Sequence, residues 1–371
     1  MSFSGTTMQN ATLASGHGTD SESFIAGPED LILITGASGF IGGRLVQNLL
    51  DRGFRNLRCF TRPSSIVAKL EALRDSLDSA RVEIVKGNLL SREDCSAATK
   101  NAVVIFHLAA GRGEKSFPDA FMNSVVATRN LLEASIRQQC LRRFVNVSSF
   151  SVYSNSKNPR WRLLDESSEV ESHPEICGDA YSFAKIKQDQ IVTECCSQLG
   201  IPYVIVRPGY VIGPGNPGIT GRVGIGTFGI FMHLGGSNQI PFTYVDNCAD
   251  AIALAGLKTG IDGEVFNVVD DNLPSSRRFL RLYKRNVRRF KSVYIPHFLS
   301  FAGCYLWERY SMWSQAQLEP VFNLRLWRRY WKRTRYSNDK IKKRLGWTPK
   351  VPMTEALRRY LESCQSAGKH A

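Results

Sequence analysis

No apolar run in this chain of 371 residues reaches the roughly 18 residues that a membrane-crossing helix needs. Residues 1–28 lack the apolar segment of a secretory signal; rich in Ser, Gly and Thr, they read as a disordered tail. Cysteine occurs nine times, an odd number, with no CxxC pair and only Cys195 and Cys196 close together. That argues against a disulfide framework and a zinc site, and fits a reducing compartment such as the cytoplasm. No metal ligand set is expected. RNA- and DNA-binding motifs are absent, so nucleic acid is not an expected partner. No internal repeat appears beyond the alternation of strand and helix patterns. An ordinary 43% of hydrophobic residues remains. At this length that supports one large domain, or a domain with a lobe.

What is present centres on residues 31–43, LILITGASGFIGG. Leu31 to Ile34 reads as a short buried strand. Gly36, Gly39 and Gly42 follow at three-residue spacing, and Arg44 to Leu50 has the apolar spacing of a helix. Strand, tight glycine turn and helix form the context of a dinucleotide fingerprint. Glycines let the turn fold tightly and let backbone amides approach a pyrophosphate. The helix N-terminus adds free N–H groups and the positive end of its dipole.

The second strand, Leu57 to Arg62, lacks the acid that would hold a ribose 2′-hydroxyl. Arg58 and Arg62 stand there instead, with Ser64 and Ser65 beyond. A planar guanidinium pairs with phosphate oxygens, so this end leans to NADP over NAD. Arg81 to Val85 and Ala102 to Leu108 read as third and fourth strands. His107, at the end of a buried strand, reads as structural. Phe121 to Ile136 predicts a helix, and Phe144 to Val147 a fifth strand ending in Ser148 and Ser149. Continuous apolar strands alternating with helices predict an α/β fold, a Rossmann doubly wound parallel sheet covered on both faces. Ligands of such sheets lie at the strand C-terminal ends, where the two serines stand.

Residues 154–178 are polar and irregular. Tyr181 then opens a helix, with Lys185 one turn later on the same face. A tyrosine has a pKa of about 10 in water, and a neighbouring ammonium lowers it. The phenol can then take or give a proton near neutral pH, while a serine hydroxyl holds the substrate oxygen. Opposite a nicotinamide, such a set serves hydride transfer at a carbinol or carbonyl carbon. Retention of Ser149, Tyr181 and Lys185 favours an enzyme over a silent nucleotide-binding scaffold. Tyr203 to Arg207 predicts a sixth strand. Residues 213–240, rich in glycine, read as a substrate loop. A helix from Cys248 to Leu257 and a strand from Glu264 to Val269 follow.

These stretches resemble the extended short-chain dehydrogenase/reductases, the NAD-dependent epimerase/dehydratase and 3β-hydroxysteroid-dehydrogenase-like superfamily. The resemblance rests on TGASGFIGG (35–43), HLAA (107–110), VSSFSVY (147–153), YSFAK (181–185), RPGYVIGPG (207–215), TYVDNCADAI (243–252) and LGWTPKV (345–351). It implies Ser149, Tyr181 and Lys185 as the catalytic set, with Tyr181 the base and Lys185 also on the nicotinamide ribose. It implies cofactor contacts from Gly36, Ser38, Gly39, Phe40, Ile41, Gly42, Arg62, Asn88, Leu89, Leu108, Ala109, Ala110, Tyr181, Lys185 and Pro208. The expected reaction is NAD(P)-dependent oxidation or reduction; the alternative is an epimerase or dehydratase acting on a nucleotide-linked or lipid-linked sugar. Two departures stand out. Asn88 replaces the family's usual Asp. Residues 239–245 hold no Arg, which UDP-sugar epimerases usually carry there to grip the diphosphate. The second departure leans toward the steroid-dehydrogenase-like branch.

The expected organisation is a Rossmann domain over 29–210 and a smaller, mixed C-terminal substrate lobe over 211–360, with 243–270 returning to the sheet. Charge is uneven. The net charge is +15, yet residues 277–344 hold 19 Lys or Arg against Glu308, Glu319 and Asp339, a local +16. Four of the six tryptophans, Trp307, Trp313, Trp327 and Trp331, lie in this region. So does an uncharged stretch from Val293 to Trp307. Apolar residues flanked by aromatics and Arg suit a membrane interface or a lid over a lipid-like substrate. The expected partners are a small apolar or lipid-linked substrate, a peripheral membrane contact through 277–344, and a second copy in a homodimer.

Overall fold

A computed structural model describes residues 24–76, 80–110, 116–154, 163–176, 179–227, 229–314 and 323–369. Seven parallel strands build the central sheet: β1 (Ile32–Thr35), β2 (Asn56–Thr61), β3 (Arg81–Lys86), β4 (Val104–His107), β5 (Arg143–Val147), β6 (Tyr203–Pro208) and β7 (Val265–Val268). Their order is β7-β6-β5-β4-β1-β2-β3. The strand order reverses between β1 and β4, and the crevice beyond their C-terminal ends is the ligand position of an open α/β sheet.

Alternation along the strands divides the core. Ile32 and Ile34 face one side with Leu45, Val46 and Leu49 of helix Gly42–Asp51 and Ile252 of helix Val245–Leu257. Leu33 faces the other with Leu131 of helix Ala127–Ile136 and Val192 of helix Ala180–Leu199. Each fully buried aliphatic side chain of this kind is worth about 1.5–3 kcal/mol. The strand pattern requires both coats, since no strand in the middle of the sheet has a polar face to offer water.

Three local expectations change. Of the tail expected over 1–28, residues 1–23 lie outside the described residues, and 24–28 are ordered. Phe24 bridges Lys258, the Ile25 amide donates to Leu257 O at 2.8 Å, and Ala26 is buried. These apolar residues find the C-terminal end of helix Val245–Leu257. The helix expected over 121–136 begins as a wide π turn, Phe121–Val126, before its α-helical part. The loop expected over 213–240 contains a hairpin, Gly224–Thr227 against Ile230–His233, turning at Gly229 with φ 75°. Ser292–Tyr294 adds a parallel third strand. Of the irregular segment 154–178, residues 155–162 and 177–178 lie outside the described residues.

The rest of the lobe is helical. Ser276–Asn286, capped by Ser275, packs through Phe279 and Tyr283 on Leu357 and Tyr360 of helix Met353–Lys369. This basic helix ends at Asn286. The uncharged stretch divides at Pro296 into strand Ser292–Tyr294 and helix His297–Trp313. Two separated sequence motifs close the structure. The side-chain amide of Asn247 donates to Asp270 Oδ2 at 2.8 Å and Val351 O at 2.9 Å, and its Oδ1 accepts from the Val351 amide at 2.9 Å. The Trp347 indole donates to Asn247 O at 3.2 Å.

Candidate active site

The turn after β1 leaves no room for side chains at two of its glycines. Gly36 has φ 70°, and a Cβ there would lie 3.0 Å from the Ala109 amide nitrogen after β4. A Cβ on Gly42 would fall 2.2 Å from Gly36 O. The helix that follows has Ile41 at its N-cap, which supplies no side-chain acceptor to the first amides. An uncapped helix N-terminus behind a bare backbone turn is a cradle for phosphate. The residues present therefore fit a dinucleotide.

This turn forms one end of a cleft of about 650 Å³. Gly36, Ser38, Gly39, Phe40, Ile41, Gly42, Arg62, Asn88, Leu89, Leu108, Ala109 and Ala110 all line it, as do Ser149, Tyr181 and Lys185. Ser65 and Ser148 line it too. Two expected residues do not. Pro208 is buried at the end of β6, paired with Val268, and its neighbours Gly209 and Tyr210 reach the cleft instead. Arg58 lies opposite Glu83 in the sheet. Its guanidinium is bound by Glu83 at 2.8 Å, Ala98 O at 2.9 Å and Lys100 O at 2.8 Å, so it braces the sheet edge. Arg62, one residue past β2, is exposed at the cleft, and no carboxylate pairs with it among the described residues.

Beneath the cleft floor runs a fully directional hydrogen-bond chain. Lys185 Nζ donates to Val147 O at 2.7 Å and Gln188 Oε1 at 2.9 Å. Gln188 Nε2 donates to Thr128 Oγ1 at 2.8 Å, and the Thr128 hydroxyl donates to Ser124 O. With that proton committed, Thr128 can only accept from His107 Nε2, 2.8 Å away. His107 Nδ1 then accepts from Thr35 Oγ1 at 2.8 Å, and Thr35 Oγ1 accepts from the Ala109 amide at 3.3 Å. The bonds assign His107 its neutral Nε2–H form. Burial pushes its pKa down to about 3, aided by the Lys185 charge. Burial also lowers Lys185 to about 8, against the opposing pull of Asp189. The structural reading of His107 holds, with both ring nitrogens bonded.

Ser149 caps the short turn Phe150–Val152, its Oγ accepting from the Ser151 amide at 3.2 Å, so its hydroxyl proton remains free to donate. Tyr181 is 41% exposed near the start of its helix. The helix N-cap, Asp179, accepts from the Ser182 amide at 2.7 Å and also from Arg329. Arg329 Nη1 donates to Ser182 Oγ at 2.8 Å as well.

Sequence reasoning expected a substrate loop over 213–240 and a lid within 277–344 but named no side chain of this far wall. Arg329 and Tyr330 come from helix Leu324–Tyr330, and Asn216, Thr220 and Arg222 from the glycine-rich stretch; all line the cleft. Arg222 donates to Arg329 O at 3.0 Å, and its guanidinium lies 5.2 Å over the Tyr330 ring. The sequence offered one signal, two arginines beside a tyrosine at 328–330, and nothing in it told which would turn inward.

The model of the NAD dependent epimerase/dehydratase family matches residues 32–268. The chain belongs to that family. It is an NAD(P)-dependent enzyme. Over 362 residues it is 27% identical to the decarboxylating sterol-4-alpha-carboxylate 3-dehydrogenase of Saccharomyces cerevisiae, spanning 90% of this chain and 97% of that protein. Over 255 residues it is 29% identical to an uncharacterized UDP-glucose epimerase of Bacillus subtilis, spanning 64% of this chain and 76% of that protein. The crystal structure of a UDP-glucuronic acid 4-epimerase from Bacillus cereus in complex with NAD has the same fold. Its TM-score is 0.67 at 20% identity, over 91% of this chain and 99% of that one.

In this family member, Thr128→Val removes the acceptor shared by Gln188 and His107. Each buried donor left unsatisfied costs about 1–3 kcal/mol, so a loss of roughly 2–4 kcal/mol is expected in denaturant unfolding. A loss under about 0.5 kcal/mol would show that the chain of bonds re-forms without the hydroxyl.

Proposed function

We propose that the chain is a dehydrogenase or reductase that prefers NADP and acts on a small apolar or lipid-linked alcohol or ketone. It works in the cytoplasm and touches a membrane surface through residues 277–344. The observation that carries the reaction is the shared cleft: Ser149, Tyr181 and Lys185 lie in the same cavity as the glycine cradle. In it, the Ser149 hydroxyl donates to the substrate oxygen, and the Tyr181 hydroxyl gives or takes that oxygen's proton. The Lys185 ammonium, held by Val147 O and Gln188, stabilises the phenolate. The nicotinamide, when bound, supplies or accepts the hydride. Residues 36–42 hold the pyrophosphate by backbone amides, and Arg62 meets the 2′-phosphate.

An apolar substrate is supported by the sterol named for the yeast relative and by the absence of Arg over 239–245. The reducing compartment is supported by eight described cysteines, all free thiols. One observation favours the second reading, a sugar epimerase or dehydratase. Arg222 and Arg329 both border the cleft and could meet a diphosphate. Arg329, however, is already paired with Asp179. Net oxidation or net reduction of free cofactor during turnover separates the two, since an epimerase gives neither.

Tyr181→Phe is expected to lower kcat by at least about a hundredfold with cofactor affinity nearly unchanged. In the wild type, reductive turnover falls as pH rises through about 8, because Lys185 is an ammonium only below that value. Normal turnover in the variant removes Tyr181 from the chemistry.

Arg62→Asp is expected to shift preference from NADP toward NAD, by replacing a phosphate partner with an acceptor for the 2′-hydroxyl. Titration of both cofactors against both proteins reads it, and an unchanged ratio of dissociation constants removes Arg62 from the site.

A further inference from the structure

Helix His297–Trp313 is packed inside out. The residues it buries are Ser300, Cys304 and Ser311, a narrow stripe of small side chains. Its large apolar side chains point to solvent: Phe298, Leu306, Met312 and Trp313 are 70, 65, 60 and 78% exposed. Leu299, Tyr305 and Tyr310 extend the same surface. A soluble amphipathic helix shows the opposite distribution, and monomers seldom expose an apolar patch of this extent. The helix carries one acid, Glu308, and that group is turned inward, accepting from the Leu324 amide at 3.0 Å.

The neighbouring surface is cationic. Between Arg277 and Lys291 there are eight Lys or Arg and no acid. Arg278, Arg281, Arg285 and Arg289 are exposed. Strand Ser292–Tyr294 joins this region to the apolar helix, and the Arg277 guanidinium lies 5.1 Å over the Tyr294 ring. The cationic and apolar surfaces therefore abut. Behind them, the Trp327 indole donates to Ser300 Oγ at 2.9 Å, and its ring lies 5.1 Å from that of Phe301. Trp327 belongs to the helix that carries Arg329 and Tyr330 into the cleft.

We propose that His297–Trp313 is an interfacial helix, lying in the plane of an anionic bilayer with Phe298, Leu306, Met312 and Trp313 among the acyl chains. The exposed arginines of 277–291 then meet the lipid phosphates. An apolar face bordered by cations and aromatic rings suits an anionic bilayer surface. The cleft wall is built on the back of this helix, so an apolar alcohol or ketone passes to the site from the bilayer. The docking deepens the membrane contact proposed above, and the substrate's path rests on the reaction proposed there.

The test uses the full chain and phosphatidylcholine vesicles with or without phosphatidylserine, sedimented at low and high salt. The protein is expected to pellet with the anionic vesicles and to be partly released as salt rises. Leu306→Ser combined with Trp313→Ser, both at exposed positions, is expected to weaken partition by more than about tenfold without lowering the melting temperature. Arg281→Glu combined with Arg285→Glu is expected to abolish the preference for phosphatidylserine. A protein that stays in the supernatant with anionic vesicles at low salt overturns the proposal. So does a serine variant that partitions like the wild type. A dimer in sedimentation velocity that the serine variant breaks, without vesicle binding, assigns the face to a second copy and also overturns it. If Tyr181→Phe keeps its turnover while the wild type binds vesicles, the catalytic reading falls and the docking stands.

Discussion

The buried chain of hydrogen bonds from Thr35 to Lys185 is the constraint on which the site depends. It crosses the ends of β1, β4 and β5 and reaches the helices over 127–136 and 180–199. Those strand ends are where the parallel ladder stops and backbone groups need other partners. Side chains supply them here, and each proton is committed in one direction. Lys185 is held because both of its named acceptors are themselves fixed, one by the sheet and one through Thr128. A buried ammonium without them would face the desolvation penalty unrelieved.

A second set of ties connects the sheet to its surroundings. Arg207 pairs with Asp189 at 3.1 Å and lies 5.0 Å over the Tyr153 ring. The Tyr153 hydroxyl donates to Asn267 Oδ1 at 2.7 Å, and Asn146 donates to the other oxygen of Asp189 at 2.9 Å. Residues from two family-like motifs, from β5, from helix Ala180–Leu199 and from β7 thus meet in one buried cluster. Breaking one partner of such a buried ion pair costs far more than removing a surface pair, because the remaining charge stays in the interior. The pairs of the basic lobe are of the lesser kind. Lys340 and Arg344 both meet Glu264, and Lys342 meets Asp271, at sites open to solvent and to screening by salt.

One contact of the lobe bears directly on the cleft. Asp179 caps the helix that carries Tyr181 and also receives Arg329 from the roof of the cleft. Negative charge at a helix N-terminus is favoured by the dipole, and the arginine compensates it. The helix start, the cleft wall and the acid/base candidate are therefore mechanically joined within a few residues. The side chain of Arg329 is largely enclosed, which leaves this contact less screened than the surface pairs.

By itself the sequence determined the alternation of strand and helix, the parallel sheet, the glycine turn and the placement of Tyr181 and Lys185 one turn apart on a single helix. These follow from short-range causes: apolar period, turn chemistry and the rise of one helical turn. Strand positions came within about two residues for the same reason. Tertiary structure alone decided the rest. Arg58 and Arg62 differ little in sequence, yet register placed one against Glu83 and left the other at the cleft. The glycine-rich stretch became a hairpin because a strand from Ser292–Tyr294 was there to pair with it. Arg329 reached Asp179 across 150 residues of chain. Such contacts depend on how whole elements pack, and no local pattern encodes the direction in which an arginine or an apolar helix face will turn once its neighbours are in place.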